Sequence, residues 1–238
     1  MKKITKKVEE LNNDNLHTSK PFLSTLSDAV LFAKHATLTK DEKFKKLLVK
    51  ASILHCSFAV EALANNMIQF INLGGKLSES IDKLDVVSKL ELFSLLTMKK
   101  KIDRGNSSIQ VFQNLIDVRN KYVHPKIKKN ELLNNNGNFS SNPRKSLSQL
   151  NITSEMSEWD VKESNKCVLA LLKSIDQFLI EDIGLEMKSM SCMFMDYLCV
   201  DGSYGLIVPS DTEWSNWSLT VLNYRPIFYC DHILKRYE

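Results

Sequence analysis

At 238 residues the chain is long enough to bury a substantial core, as one large domain or a domain with an appendage. Its 43% apolar and 25% charged content is that of an ordinary globular protein, and a net charge of +4 does not by itself point to nucleic acid. Five cysteines without a Cys-x-x-Cys pair exclude a disulfide framework, and no zinc spacing is recognisable, so no metal or cofactor is expected. Glycine loops of the dinucleotide and phosphate-binding kinds are missing, as are His-Glu-x-x-His and a nucleophile elbow. The charged residues Lys6, Lys7, Glu9 and Glu10 stand where a signal peptide needs its apolar segment, and no apolar run looks long enough to span a bilayer. A cytoplasmic protein with no membrane partner is expected.

Residues 1–18 are polar and read as a loose N-terminal segment. A first amphipathic helix is predicted from about Pro21 to Thr37, with Phe22, Leu26, Ala29, Val30 and Ala33 on one side. Thr39 and Glu42 have capping-box spacing for a second helix, which continues towards Leu73 and stops at Gly74-Gly75. That helix is apolar nearly all round, which marks it as central. Ser57, Glu61 and Asn65 break the pattern as one polar line, and His55 stands apart from it as a core histidine. A carboxylate in such a helix requires a cationic or hydrogen-bonding partner.

A third helix is predicted from about Ser80 to Thr97 and a fourth from Ser107 to His124, Ser107 and Gln110 having capping-box spacing. In the fourth, Val111, Leu115, Val118 and Tyr122 form one apolar stripe. Phe112, Ile116 and Val123 form a second, whose remaining member is Arg119. Arg119 is therefore the natural partner for Glu61, whether in a site or in a purely structural bridge. Gln113, Asp117, Asn120 and His124 make a polar stripe, with Asn120 one turn from the imidazole. Pro125 disfavours helical geometry at His124 and ends the helix there.

Residues 126–156, rich in Asn, Ser and Lys, read as a long flexible loop. Lys121, Lys126, Lys128, Lys129, Arg144 and Lys145 face only Glu131 in charge count, a local excess that either steers a polyanion or keeps a loop solvated. A fifth helix is predicted from about Glu158 to Asp182. Residues 185–238 change texture, and Trp217, Leu219 and Val221 alternate with Ser218 and Thr220 in a strand pattern. The expected fold is mainly α. An antiparallel four- or five-helix bundle spans 19–184, with the loop 126–156 inside it, and a small β-containing appendage follows at 185–238.

The order of these parts, with Leu115-Ile116-Asp117-Val118-Arg119-Asn120-Lys121-Tyr122-Val123-His124-Pro125 closing the fourth helix, resembles the HEPN (higher eukaryotes and prokaryotes nucleotide-binding) family. Its hallmark is Arg-polar-x3-His late in an all-α bundle, and Arg119, Asn120 and His124 match it. The resemblance implies a metal-independent endoribonuclease of the toxin or defence type. Its site would be composite, formed where two copies meet as a homodimer, with RNA as substrate and an antitoxin as a possible partner. Arg119 would hold phosphate, His124 would act as acid and base, and Asn120 would orient one of them. Glu61 and Asp117 would support them, and Lys121, Lys126, Lys128 and Lys129 would bind RNA. The alternative is a catalytically silent HEPN-like module used for dimerisation or for binding a partner protein or nucleic acid.

Overall fold

In the computed structural model, residues 16–124, 132–135, 138–141, 146–147, 149–200, 203–207 and 212–237 are described. Lys126, Lys128, Lys129 and Pro125 lie outside them. The chain is mainly helical, with nine α-helices among the described residues.

After a short strand β1 (Leu16–Thr18), α1 runs Pro21–Leu38 and α2 runs Glu42–Ile71 without a break. The cap of α2 is Asp41, whose carboxylate accepts from the backbone N–H groups of Lys43 and Phe44 at 2.9 and 3.2 Å. The Thr39–Glu42 box read from the sequence does not form, because Asp41 sits two residues closer and offers a stronger acceptor. The far end is likewise closed early, by Asn72 in the left-handed region at φ 52°, before Gly74 and Gly75 are reached. The connection of three residues folds α1 back along α2, and the Ser52 hydroxyl donates to the Ala29 carbonyl at 2.8 Å across the contact. Contrary to the sequence reading, α2 is by length and composition apolar enough to cross a membrane; most of that stretch is buried inside the fold.

The single helix expected from Ser80 to Thr97 is two. α3 (Lys76–Asp82) ends at Lys83, and α4 (Val86–Phe93) restarts from Asp85, whose side chain accepts from the Ser88 N–H at 3.0 Å. A π-helical turn over Ser94–Met98 closes this arm at Lys99, which has φ 55°. The motif helix is α5 (Ser107–Val123). Its predicted capping box does not form either. The Ser107 hydroxyl donates to Gln177 Oε1 and Gln110 reaches the Arg104 carbonyl, while Ser108 donates to Asp182 Oδ2 at 2.5 Å. The first turn of α5 is thus docked onto the end of the next long helix, with an acid beside its N-terminal dipole.

The stretch read as one flexible loop contains two antiparallel strand pairs. β2 (Leu132–Asn135) pairs with β3 (Asn138–Ser141), and β4 (Ser146–Leu147) pairs with β5 (Ile152–Thr153). Trp159 is buried and its indole N–H donates to the Thr153 carbonyl, so this end of the segment is tied to the core. α6 (Val161–Asp176) starts at a capping box of Asp160 and Glu163, three residues later than expected, and continues as a π turn over Gln177–Asp182.

α1, α2, α5 and α6 share one apolar core, and Phe112 of α5 meets Phe178 edge-on at 5.7 Å. The C-terminal part packs into that same core through α7 (Met187–Phe194), the hairpin β6 (Tyr197–Val200) and β7 (Ser203–Leu206), α8 (Glu213–Val221) and α9 (Ile227–Cys230). The strand read at Trp217–Val221 is instead α8. Trp214, Trp217 and Ser218 are buried at helical spacing, whereas Leu219 and Val221 are exposed, so the alternation in sequence was fortuitous. β1 joins the hairpin in a three-stranded sheet of order β1-β6-β7, with Leu16 opposite Cys199, so the end of the segment read as loose is a paired strand. Asp176 pins the C-terminus. Its carboxylate accepts from Tyr224 Oη and from the backbone N–H groups of Ile227 and Phe228, capping α9 from below.

Candidate functional site

Arg119 lies three-quarters of the way along α5 and reaches α2 about two-thirds of the way along it, where its guanidinium forms an ion pair with the Glu61 carboxylate. The side chains are 24% and 28% exposed, so the pair is neither in the core nor free in water. Nη1 of Arg119 also donates to Asn120 Oδ1 at 3.0 Å, while its Nε is buried without a partner among the described residues. The guanidinium is therefore held from two sides and keeps an unmatched donor.

His124 caps α5. Its backbone N–H reaches the Asn120 carbonyl at 2.9 Å, its φ and ψ of −120° and 66° leave the helical region, and its side chain is exposed. Among the described residues no hydrogen bond joins the Asn120 carboxamide to the imidazole, and the carboxamide oxygen accepts from Arg119 instead. Asn120 organises the arginine through its side chain and the histidine only through its backbone. Asp117 belongs to neither: its Oδ1 accepts from Gln113 Nε2 at 3.1 Å along the polar stripe. Lys121 is exposed in the last turn, next to exposed Tyr122 and Val123.

One cation in this neighbourhood escaped the sequence reading. Lys89 of α4 is only 7% exposed and donates from Nζ to Asn65 Oδ1 at 2.8 Å, one turn beyond Glu61. Its position between Val87 and Leu90 was the available signal. The third member of the polar line, Ser57, is buried and bonded to the Leu54 carbonyl. His55 plays no part in the site: its ring stands edge-on to Phe32 and Phe58, and Nδ1 contacts the Ala51 carbonyl at 2.8 Å.

Among the described residues no three potential ligands gather for a metal. Burial raises the thiols of Cys56 and Cys167 well above their ordinary pKa, which keeps both protonated and inert. A cleft of about 380 Å³ between α1 and the C-terminal elements, lined by Asp28, Asp196 and Trp214 among others, shares no residue with the Arg119 motif. A single copy of the chain thus presents one arginine paired with an acid, a second cation held one turn further along α2, and one exposed imidazole at the end of α5. Comparison with protein-family models, curated proteins and solved structures gave no match.

Proposed function

We propose that the chain is a metal-independent endoribonuclease of the HEPN type, acting in the cytoplasm as a toxin or defence effector, with a composite site at a homodimer interface. The observation that carries this reading is the Glu61–Arg119–Asn120 assembly, which fixes a guanidinium five residues before an exposed histidine at the end of α5. A guanidinium suits phosphoryl oxygens because its planar fork donates two hydrogen bonds and stays charged. Imidazole is the side chain best matched to proton transfer near neutral pH.

In the reaction His124 of one copy takes the proton from the 2′-hydroxyl, whose oxygen forms a bond to phosphorus. The bond from phosphorus to the 5′-oxygen breaks, and His124 of the second copy protonates that leaving oxygen. Arg119 binds the non-bridging oxygens as charge builds on them. The products are a 2′,3′-cyclic phosphate and a 5′-hydroxyl, and no metal enters the balance. Lys121 supplies further positive potential, as would Lys126, Lys128 and Lys129 in the sequence that follows.

The test is cleavage of RNA in EDTA with analysis of the ends. Cyclic or 3′-phosphate ends, with a 2′-deoxy substitution at the cut blocking the reaction, support the mechanism. Dependence on magnesium or cleavage of DNA refutes it. One observation favours a second reading, a silent binding module: Arg119 already satisfies Glu61 and Asn120, as a structural bridge would. In that case His124→Ala leaves every function of the protein intact.

A further inference from the structure

α2 is apolar on two opposite sides, and only one of them is fully buried by the fold. Val49, Cys56 and Leu63, seven residues apart, are fully buried in the core. On the other side Phe44, Leu47, Ala51, Leu54 and Phe58 follow at spacings of three, four, three and four, and none belongs to the core. Phe44 is 50% and Leu47 61% exposed, and the other three are half-buried. The same spacing continues through Glu61 to Asn65. A repeat of 3.5 residues is the signature of a seam that a second helix covers.

We propose that this seam is where two copies of the chain meet, α2 against α2, parallel and in register about a two-fold axis. A contact between identical copies needs a surface that matches itself. The in-register pairing sets Leu47 on Leu47 and Leu54 on Leu54, with the small Ala51 where the helices come closest. The flanking charges choose the direction. Lys43 and Lys50 border the seam, and a parallel pairing turns them towards Leu48 and His55 of the second copy. An antiparallel pairing sets Lys50 against Lys50, a like-charge contact. Asn65 adds register. Its oxygen accepts from Lys89, and its carboxamide N–H groups have no partner among the described residues. A lone carboxamide in a seam finds its twin when the helices run parallel and in step.

This deepens the reading above and rests on it in one respect. The parallel pairing carries Glu61 of both copies to the axis, each neutralised by its own Arg119, and so brings the two motifs together as the composite site requires. Crossing in the opposite direction at Ala51 would hold the two Glu61 residues about 30 Å apart, from twenty residues at the helical rise.

Leu47→Cys tests the register. The full-length variant is oxidised beside the parent, whose Cys56, Cys167 and Cys199 are buried. A cross-linked dimer formed by Leu47→Cys alone supports the proposal. Cross-linking only when Leu47→Cys is mixed with Leu54→Cys shows the antiparallel contact and overturns it. The parent should sediment at twice 27.3 kDa, and a parent that remains monomeric at about 50 μM overturns it too. Leu47→Glu combined with Leu54→Glu should give a monomer with the parent's circular dichroism, since both residues lie outside the core; a variant that stays dimeric overturns the seam. RNA cleavage on the same samples separates the two readings. A dimer cross-linked at position 47 that leaves RNA intact refutes the nuclease and upholds the seam. Cleavage at the parent rate by the monomeric variant also upholds the seam as the dimer contact and refutes the composite site.

Discussion

Removing Glu61 is the most direct test of how the candidate site is held. Breaking a fully buried ion pair by deleting one partner costs about 3–5 kcal/mol, while an exposed pair contributes about 0.2–1 kcal/mol. With roughly a quarter of each side chain open to solvent, the Glu61–Arg119 pair lies between these limits. Glu61→Ala is therefore expected to cost about 2 kcal/mol. With a urea slope of about 3 kcal/mol per molar, the unfolding midpoint should fall by about 0.7 M. Arg119→Met keeps the aliphatic stem and removes the charge, so Glu61→Ala, Arg119→Met and the double variant form a cycle. A coupling of about 1–2 kcal/mol is expected from that cycle. A coupling below about 0.3 kcal/mol would refute the reasoning, because it would mean that the two charges contribute independently.

Asp176→Ala should cost roughly 2–4 kcal/mol, since it leaves two backbone N–H groups and a tyrosine hydroxyl without their acceptor; calorimetry would show it, and an unchanged melting temperature would contradict the pinning role. Burial raises the Asp176 carboxyl above its ordinary pKa, against the hydrogen bonds that pull it down. A folded pKa above the unfolded one means that its contribution is fullest below the unfolded value and is lost as pH rises through the folded one. Relative to Asp176→Asn, the parent should then lose stability as pH climbs out of the ordinary carboxylate range. Lys89→Met should leave stability within about 1 kcal/mol of the parent in chemical denaturation, because it removes an ammonium held by a single amide oxygen. His124→Ala should lower RNA cleavage by about 10²–10⁴ with unchanged helical content. Heterodimers of Arg119→Ala with His124→Ala should recover little of that activity. Recovery to half the parent rate would refute the paired-histidine mechanism.

The parts that were legible in the sequence are those set by local periodicity. α1, α2 and α5 appear where the apolar spacing places them, and α5 ends at Val123 with His124 outside the helical region, next to the boundary that a proline in the sequence marks. The Glu61–Arg119 contact was readable for a related reason: two opposite charges stood alone in apolar stripes, and each needed a partner. Competition between caps was not readable. Asp41 displaced Thr39 as the cap of α2, and Asp85 starts a separate helix inside the span that apolar spacing had read as one. Nor could the roles within the motif be read from spacing alone. Asn120 had two neighbours within reach, and only the structure shows that its side chain serves Arg119. The Trp217 alternation misled because a run of five residues is too short to tell a strand period from a helical one.

The pairing of β1 with β6 also sets an order of events during folding. α1 and α2 meet through a three-residue connection, so their contact closes at small entropic cost and can form early. Leu16 finds Cys199 only after nearly the whole intervening chain has been gathered in. The sheet is thus a late reporter of assembly: its amides should be the last to gain protection from hydrogen exchange in a refolding pulse, after those of α2. The N-terminal strand is also the first element expected to be released when the fold is strained, well before the helices that hold Arg119 begin to part.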